Sequence, residues 1–143
     1  MTSLARIYAT ASAAALVLAG SAHAQQGNPL VGTWRGVLKS ADNVQLPFQF
    51  TYYPNGTWFQ TMAIPPTHGG SGSGSGTIAS SGTYRMLSDH SVELNNLQRQ
   101  MCPAGNPGCT AVPPGGRQTI LFRFEGYDKV VNTEDGTVTY RVR

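Results

Sequence analysis

The sequence predicts an all-β domain, an eight-stranded antiparallel up-and-down barrel, preceded by a cleaved signal peptide. Three observations predict it. Helical periodicity is nearly absent after residue 24, and short runs of alternating apolar residues recur between clusters of Gly, Pro, Asn and Asp. Most joints between those runs are short enough for hairpins, so consecutive strands lie side by side and the first can pair with the last to remove the sheet edges; an open two-sheet sandwich is the rival that local alternation does not exclude.

Residues 1–24 carry the parts of a secretory leader: Arg6, the apolar run AAALVLAG, and AHA ending at Ala24. The apolar run is too short to span a bilayer comfortably, and no second one follows, so no membrane anchor is expected. LAGS resembles a bacterial lipoprotein signal, but Ser21 stands where the lipidated cysteine would be. Soluble export to the periplasm or medium is the expectation. The segment 25–143 is large enough for one domain with one core. Loss of Arg6 lowers the formal charge from +3 to +2, and no run of Lys or Arg occurs. The electrostatic footprint of a nucleic-acid partner is therefore missing.

The strands are read in order at about 31–39, 44–53, 57–64, 77–87, 91–97, 118–125, 129–133 and 137–142. The first, VGTWRGVLK, sets Trp34 between Gly32 and Gly36. In the second, Val44, Leu46, Phe48, Phe50 and Tyr52 share one face, and Pro47, unable to donate to a ladder, suggests an edge, a bulge or a loosely paired position. Asn55-Gly56 supplies a tight turn into TWFQTMAI. The pattern then stops in PPTHGGSGSGSG, where no apolar face exists, and residues 65–76 read as either a flexible flap or a plain connection. GTYRML, a turn at SDHS and VELNNL restore the rhythm. In QTILFRFE, Ile120, Phe122 and Phe124 alternate against Thr119, Leu121 and Arg123. KVVNT and TVTYRVR complete a meander, the latter with Val138, Tyr140 and Val142 on one face.

Cys102 and Cys109 are the only cysteines, in MCPAGNPGC. Export and the intervening Pro and Gly residues predict a disulfide closing this loop, with a contribution of about 2 kcal/mol. Haem attachment would need Cys-x-x-Cys-His, and zinc would need more Cys or His than the region offers, so no cofactor and no metal are expected.

A Gly-x-Trp on the first strand, here Gly32 and Trp34, with an arginine on the last, Arg141 or Arg143, resembles the lipocalin and wider calycin pattern. YYPNGTW followed by GTYRMLSDHSVEL is similar to small secreted bacterial domains of the same rhythm. The resemblance implies that the Trp packs across the closed end of a barrel with the Arg against it. A guanidinium over an indole is worth about 0.5–2 kcal/mol. Neither a helix after the barrel nor the second and third lipocalin motifs are found.

No catalytic constellation converges. Asp89, His90 and Ser91 are adjacent on a turn and point in different directions, so no relay forms among them. His68 is isolated in the Gly/Ser segment, and the carboxylates fall mainly at turns. The chain is expected not to be an enzyme. Phe48, Phe50, Tyr52, Trp58, Tyr84, Phe122, Phe124 and Tyr140 are read as interior residues. Among them Phe48, Phe50, Trp58, Tyr84 and Phe122, with Met62, Arg85 and Arg123, are the candidate ligand-binding residues. Trp58 and Met62 are placed at the cavity mouth. Arg85 and Arg123 face outward by alternation, but either would hold an anionic head group if turned inward. The expected function is binding of a small apolar or amphipathic molecule in the barrel. The alternative is a protein-binding module, such as a secreted protease or hydrolase inhibitor, with a filled barrel and with QQGNPL and the cysteine loop as contact elements.

Overall fold

In a computed structural model, described over residues 27–66, 75–105 and 108–143, the chain forms nine β-strands and no helix among those residues. They are β1 (Gly32–Lys39), β2 (Gln45–Tyr52), β3 (Thr57–Ile64), β4 (Gly76–Ser88), β5 (Ser91–Pro103), β6 (Thr110–Ala111), β7 (Gly116–Phe124), β8 (Lys129–Asn132) and β9 (Val138–Arg141). The predicted leader, residues 1–24, lies outside the described residues, as do His68 and residues 67–74 of the Gly/Ser segment.

All pairings are antiparallel. The order β4-β3-β2-β1-β9-β8-β7-β5, with β4 also pairing β5, closes eight strands into an up-and-down barrel. Closure comes from β1 against β9 over Trp34↔Arg141, Arg35↔Tyr140 and Gly36↔Thr139. Beyond those pairs β1 and β9 diverge, and a surface groove runs between Val37 to Lys39 and Asp135 to Val138. Pro47 pairs with Val37, whereas β3 meets β2 only from Phe48 onward, so the missing N–H costs no bond to β3.

Two features lie outside the sequence reading. β5 continues six residues past Leu97, and β6 pairs with that extension through Gln100↔Ala111 and Met101↔Thr110. The hairpin so made is closed by the Cys102–Cys109 disulfide, with Cα atoms 4.2 Å apart. A β-bulge also interrupts the β4–β5 ladder: Ser81 pairs with Gln98 and Gly82 with Asn96, which leaves Leu97 unpaired. Gly82 is required there, since a Cβ would fall 1.8 Å from the Asn95 carbonyl oxygen.

The core is the barrel interior. Trp34, Phe50, Tyr52, Trp58, Tyr84, Val92, Leu94, Phe122 and Val130 are buried there with Leu30. One parity reading is corrected. Tyr140 is exposed, and Thr139 and Arg141 hold the interior positions of β9, because they pair with Gly36 and Trp34 on the inner face of β1.

Candidate functional site

The strand directions give the barrel two unlike ends. One carries the segment before β1, the β2–β3, β4–β5 and β7–β8 turns and the residues after β9. The other carries the β1–β2 connection, the end of β3 and the start of β4, the cysteine hairpin and the β8–β9 turn.

The first end is closed by the chain preceding β1. Leu30 is only 3% exposed, and its carbonyl accepts a hydrogen bond from Trp34 Nε1 at 2.8 Å. Asn28 Nδ2 reaches across to Tyr84 Oη at 3.5 Å, and Tyr84 Oη donates to the Tyr53 carbonyl at 2.8 Å. The Arg141 guanidinium lies 4.2 Å from the Trp34 ring centroid and 4.4 Å from that of Tyr127. Its Nη1 and Nη2 donate to the carbonyls of Val31 and Pro29 at 2.8 and 2.7 Å. Gly32, at φ +128°, leaves the space this guanidinium fills: a Cβ would stand 2.7 Å from Arg141 Nη1. Arg143 does not share the contact with Trp34; it pairs with Asp128. Burial pushes the Tyr52 phenol far above its usual range, with Tyr84 beside it adding to the effect. Burial also raises the Tyr84 phenol, and the Asn28 hydrogen bond partly offsets this.

Above this floor an aromatic block occupies the β3–β4 side. Phe50 stacks on Trp58 with centroids 5.0 Å apart, and Tyr52 meets Tyr84 edge to face at 5.0 Å. On the other side a cavity of about 300 Å³ remains. Its floor is Leu30, Trp34 and Tyr52, and its walls are Phe48, Phe50, Val92, Leu94, Ile120, Phe122 and Val130. Toward the second end the lining becomes mixed, with Leu38 and Met62 among Gln60, Gln118, Asn132, Asp135, Thr137 and Thr139. Several of these polar groups serve the β8–β9 turn: Asn132 Oδ1 accepts from Glu134 N at 2.8 Å, and Asp135 Oδ1 from Thr137 N at 2.8 Å. The result is an apolar pit with a polar rim, a form suited to a molecule with one wet end.

Of the predicted binding residues, Phe48, Phe50, Met62 and Phe122 line this cavity together. Trp58 and Tyr84 are buried but do not line it. β3 runs from the closed end to the open one, so Trp58, four residues before Met62, sits near the floor with its Nε1 donating to the Thr83 carbonyl at 3.0 Å. Its placement at the mouth is therefore corrected. Arg85 and Arg123 are on the outer surface, paired with Glu93 at 3.3 Å and Glu125 at 3.6 Å, and neither reaches the interior. Ser91 Oγ is 2.7 Å from Ser88 Oγ, and Ser88 Oγ also accepts from His90 N at 3.1 Å; these hydroxyls shape the turn. No group of three or more His, Cys, Asp or Glu side chains gathers among the described residues. The sequence reading missed the glutamines of the lining. Gln60 falls between Trp58 and Met62, and Gln118 precedes Ile120 and Phe122 at the same parity, which is the signal that could have found them.

The chain matches no protein-family model and no curated protein.

Proposed function

We propose that the protein is a non-catalytic, lipocalin-like binding protein that takes a small apolar or amphipathic molecule into the barrel and works in the periplasm or outside the cell. The observation that carries this reading is the cavity of about 300 Å³, closed at one end and bounded by aliphatic and aromatic walls. Its size is at the lower end of ligand sites, which favours a compact ligand or a short chain. The arginine of the last strand against the tryptophan of the first supports the likeness to the calycin barrels. The disulfide supports export, since such bonds persist in oxidising compartments. The alternative of a protein-binding module rests on the exposed Leu97 and Met101 near the cysteine hairpin. An unfilled interior is more directly accounted for by a ligand.

Native mass spectrometry of the protein recovered from the periplasm tests the reading. The expected result is a discrete adduct that disappears on denaturation and is absent from Val92→Phe, in which the added ring occupies cavity space. A bare chain that also fails to bind medium-chain alcohols or acids would turn the assignment toward the protein partner.

A further inference from the structure

Among the described residues three buried side-chain atoms have no hydrogen-bond partner: Asp128 Oδ1, Asn96 Oδ1 and Arg99 Nε. Asp128 belongs to the closed end, beside Arg141 and Arg143. The other two lie on β5, on either side of the bulge. A buried donor or acceptor left without a partner is costly, so this pair calls for a physical explanation.

The bulge determines where Arg99 stands. Val92 and Leu94 are buried inside the barrel, and unbroken alternation from them would put Asn96, Gln98 and Gln100 on the inner face and Arg99 outside. Leu97 is the extra residue, so the parity reverses beyond it. Arg99 pairs with Ser80, and Ser80 pairs with Gln60, which lines the cavity. Gln60, buried Ser80 and Arg99 therefore form one cross-strand row on the inner face at the open end. None of the described ion pairs includes Arg99, and the Asp135 carboxylate at the rim is engaged by the amide of Thr137.

We infer that this row is a head-group subsite for a carboxylate, with Arg99 as its charge partner, Ser80 and Gln60 as flanking hydrogen-bonding groups, and the ligand's apolar tail in the cavity that Gln60, alone of the three, lines. The guanidinium fork matches a carboxylate in two parallel hydrogen bonds, and a partly desolvated site strengthens them. The inference rests on the proposed ligand-binding function and narrows it to amphipathic acids. It also gives the bulge a purpose, since bulges re-aim side chains near functional sites.

The test is calorimetric titration of the purified protein with three probes sharing one tail: octanoate, octan-1-ol and octylammonium, at pH 7.5. The wild type is expected to bind octanoate about tenfold or more tighter than the alcohol, with the ammonium weakest. Arg99→Gln should reduce octanoate to the level of the alcohol and leave the alcohol unchanged, whereas Arg123→Gln on the outer face should change neither. Octanoate and octanol bound equally by the wild type, or a preference that survives in R99Q, overturns the subsite and leaves the cavity reading standing. Binding of none of the three overturns both. Because the wild-type order of the three probes needs no variant, the inference stays open to refutation even where R99Q does not fold.

Discussion

Apart from Asp128 Oδ1 in the β7–β8 turn, the two ends of the barrel differ in how their buried polar side chains are paired. At the closed end Trp34 Nε1, Tyr84 Oη and the Arg141 guanidinium each reach a backbone carbonyl, and Asn28 ties the segment before β1 to Tyr84 of β4. At the open end Asn96 Oδ1 and Arg99 Nε are buried and reach nothing. A satisfied polar network specifies a unique packing, whereas a buried polar group without a partner is costly. The closed end is thus where stability is concentrated, and the open end is where binding is to be sought.

Substitutions at each end can break that contrast. Trp34→Ala should have the largest effect, a loss of about 3–5 kcal/mol in urea unfolding, because it opens a cavity and leaves Arg141 with the Tyr127 ring alone. Arg141→Met should cost about 2 kcal/mol by the same measurement, since the carbonyls of Val31 and Pro29 lose their donors and the cation–π contact goes. Replacing both cysteines by alanine should cost about 1 kcal/mol: the bridge closes a hairpin outside the barrel, so its loss lets that hairpin fray without opening the eight-stranded ring. Gln118→Ala at the rim should stay within about 0.5 kcal/mol. An equal loss for Trp34→Ala and Gln118→Ala would erase the distinction between the ends.

The smallest effect concerns the β7–β8 turn. A hydrogen bond from Lys129, at 2.9 Å, holds the Glu125 carboxyl below its ordinary value of 4.5, and the same bond raises Lys129 above 10.5. For the carboxylate, stabilisation is complete above the unfolded value and is lost as pH falls through the lowered folded one. For the ammonium it is complete below 10.5 and is lost as pH rises through the raised value. The melting temperature of the wild type should therefore exceed that of Glu125→Gln by a small constant margin near neutrality, and the margin should shrink below pH 4.5. A margin that grows in acid would contradict the ion pair as its source.

Much of the fold was legible because each barrel strand needs only local alternation to be seen. Phe48, Phe50 and Tyr52, or Ile120, Phe122 and Phe124, declare an inner face by themselves. Alternation failed where the inner face is not apolar. On β9 the interior residues are Thr139 and Arg141, while Tyr140 points to solvent, so the hydrophobic pattern indicated the wrong face. On β5 the residues after Leu97 are Gln98, Arg99 and Gln100, which show no alternation, and the bulge shifts their parity by one. The strand β6 has two residues and exists through pairing with the β5 extension, a tertiary fact with no local signature. The aromatic wall residues Phe48, Phe50 and Phe122 were visible as inward-facing for the same reason as the strands. The polar rim and Arg99 were not, because they depend on register.

The seam that closes the ring is three residue pairs long, and its strongest contacts join partners 110 and 112 residues apart in the sequence. Such a seam has a consequence for the order of assembly. The hairpins β1–β2, β2–β3, β3–β4 and β4–β5 can form as each strand is made, but none of them seals the interior. Bringing β9 against β1 carries the largest loop-closure entropy in the molecule, and it can occur only after the last strand has been synthesised and released. Until then the inner faces of β1 to β5, with Trp34, Phe50 and Trp58, stand open to water as a curved half-sheet. The nascent chain is thus most vulnerable to aggregation and proteolysis late in its synthesis, and ring closure is its expected rate-limiting step.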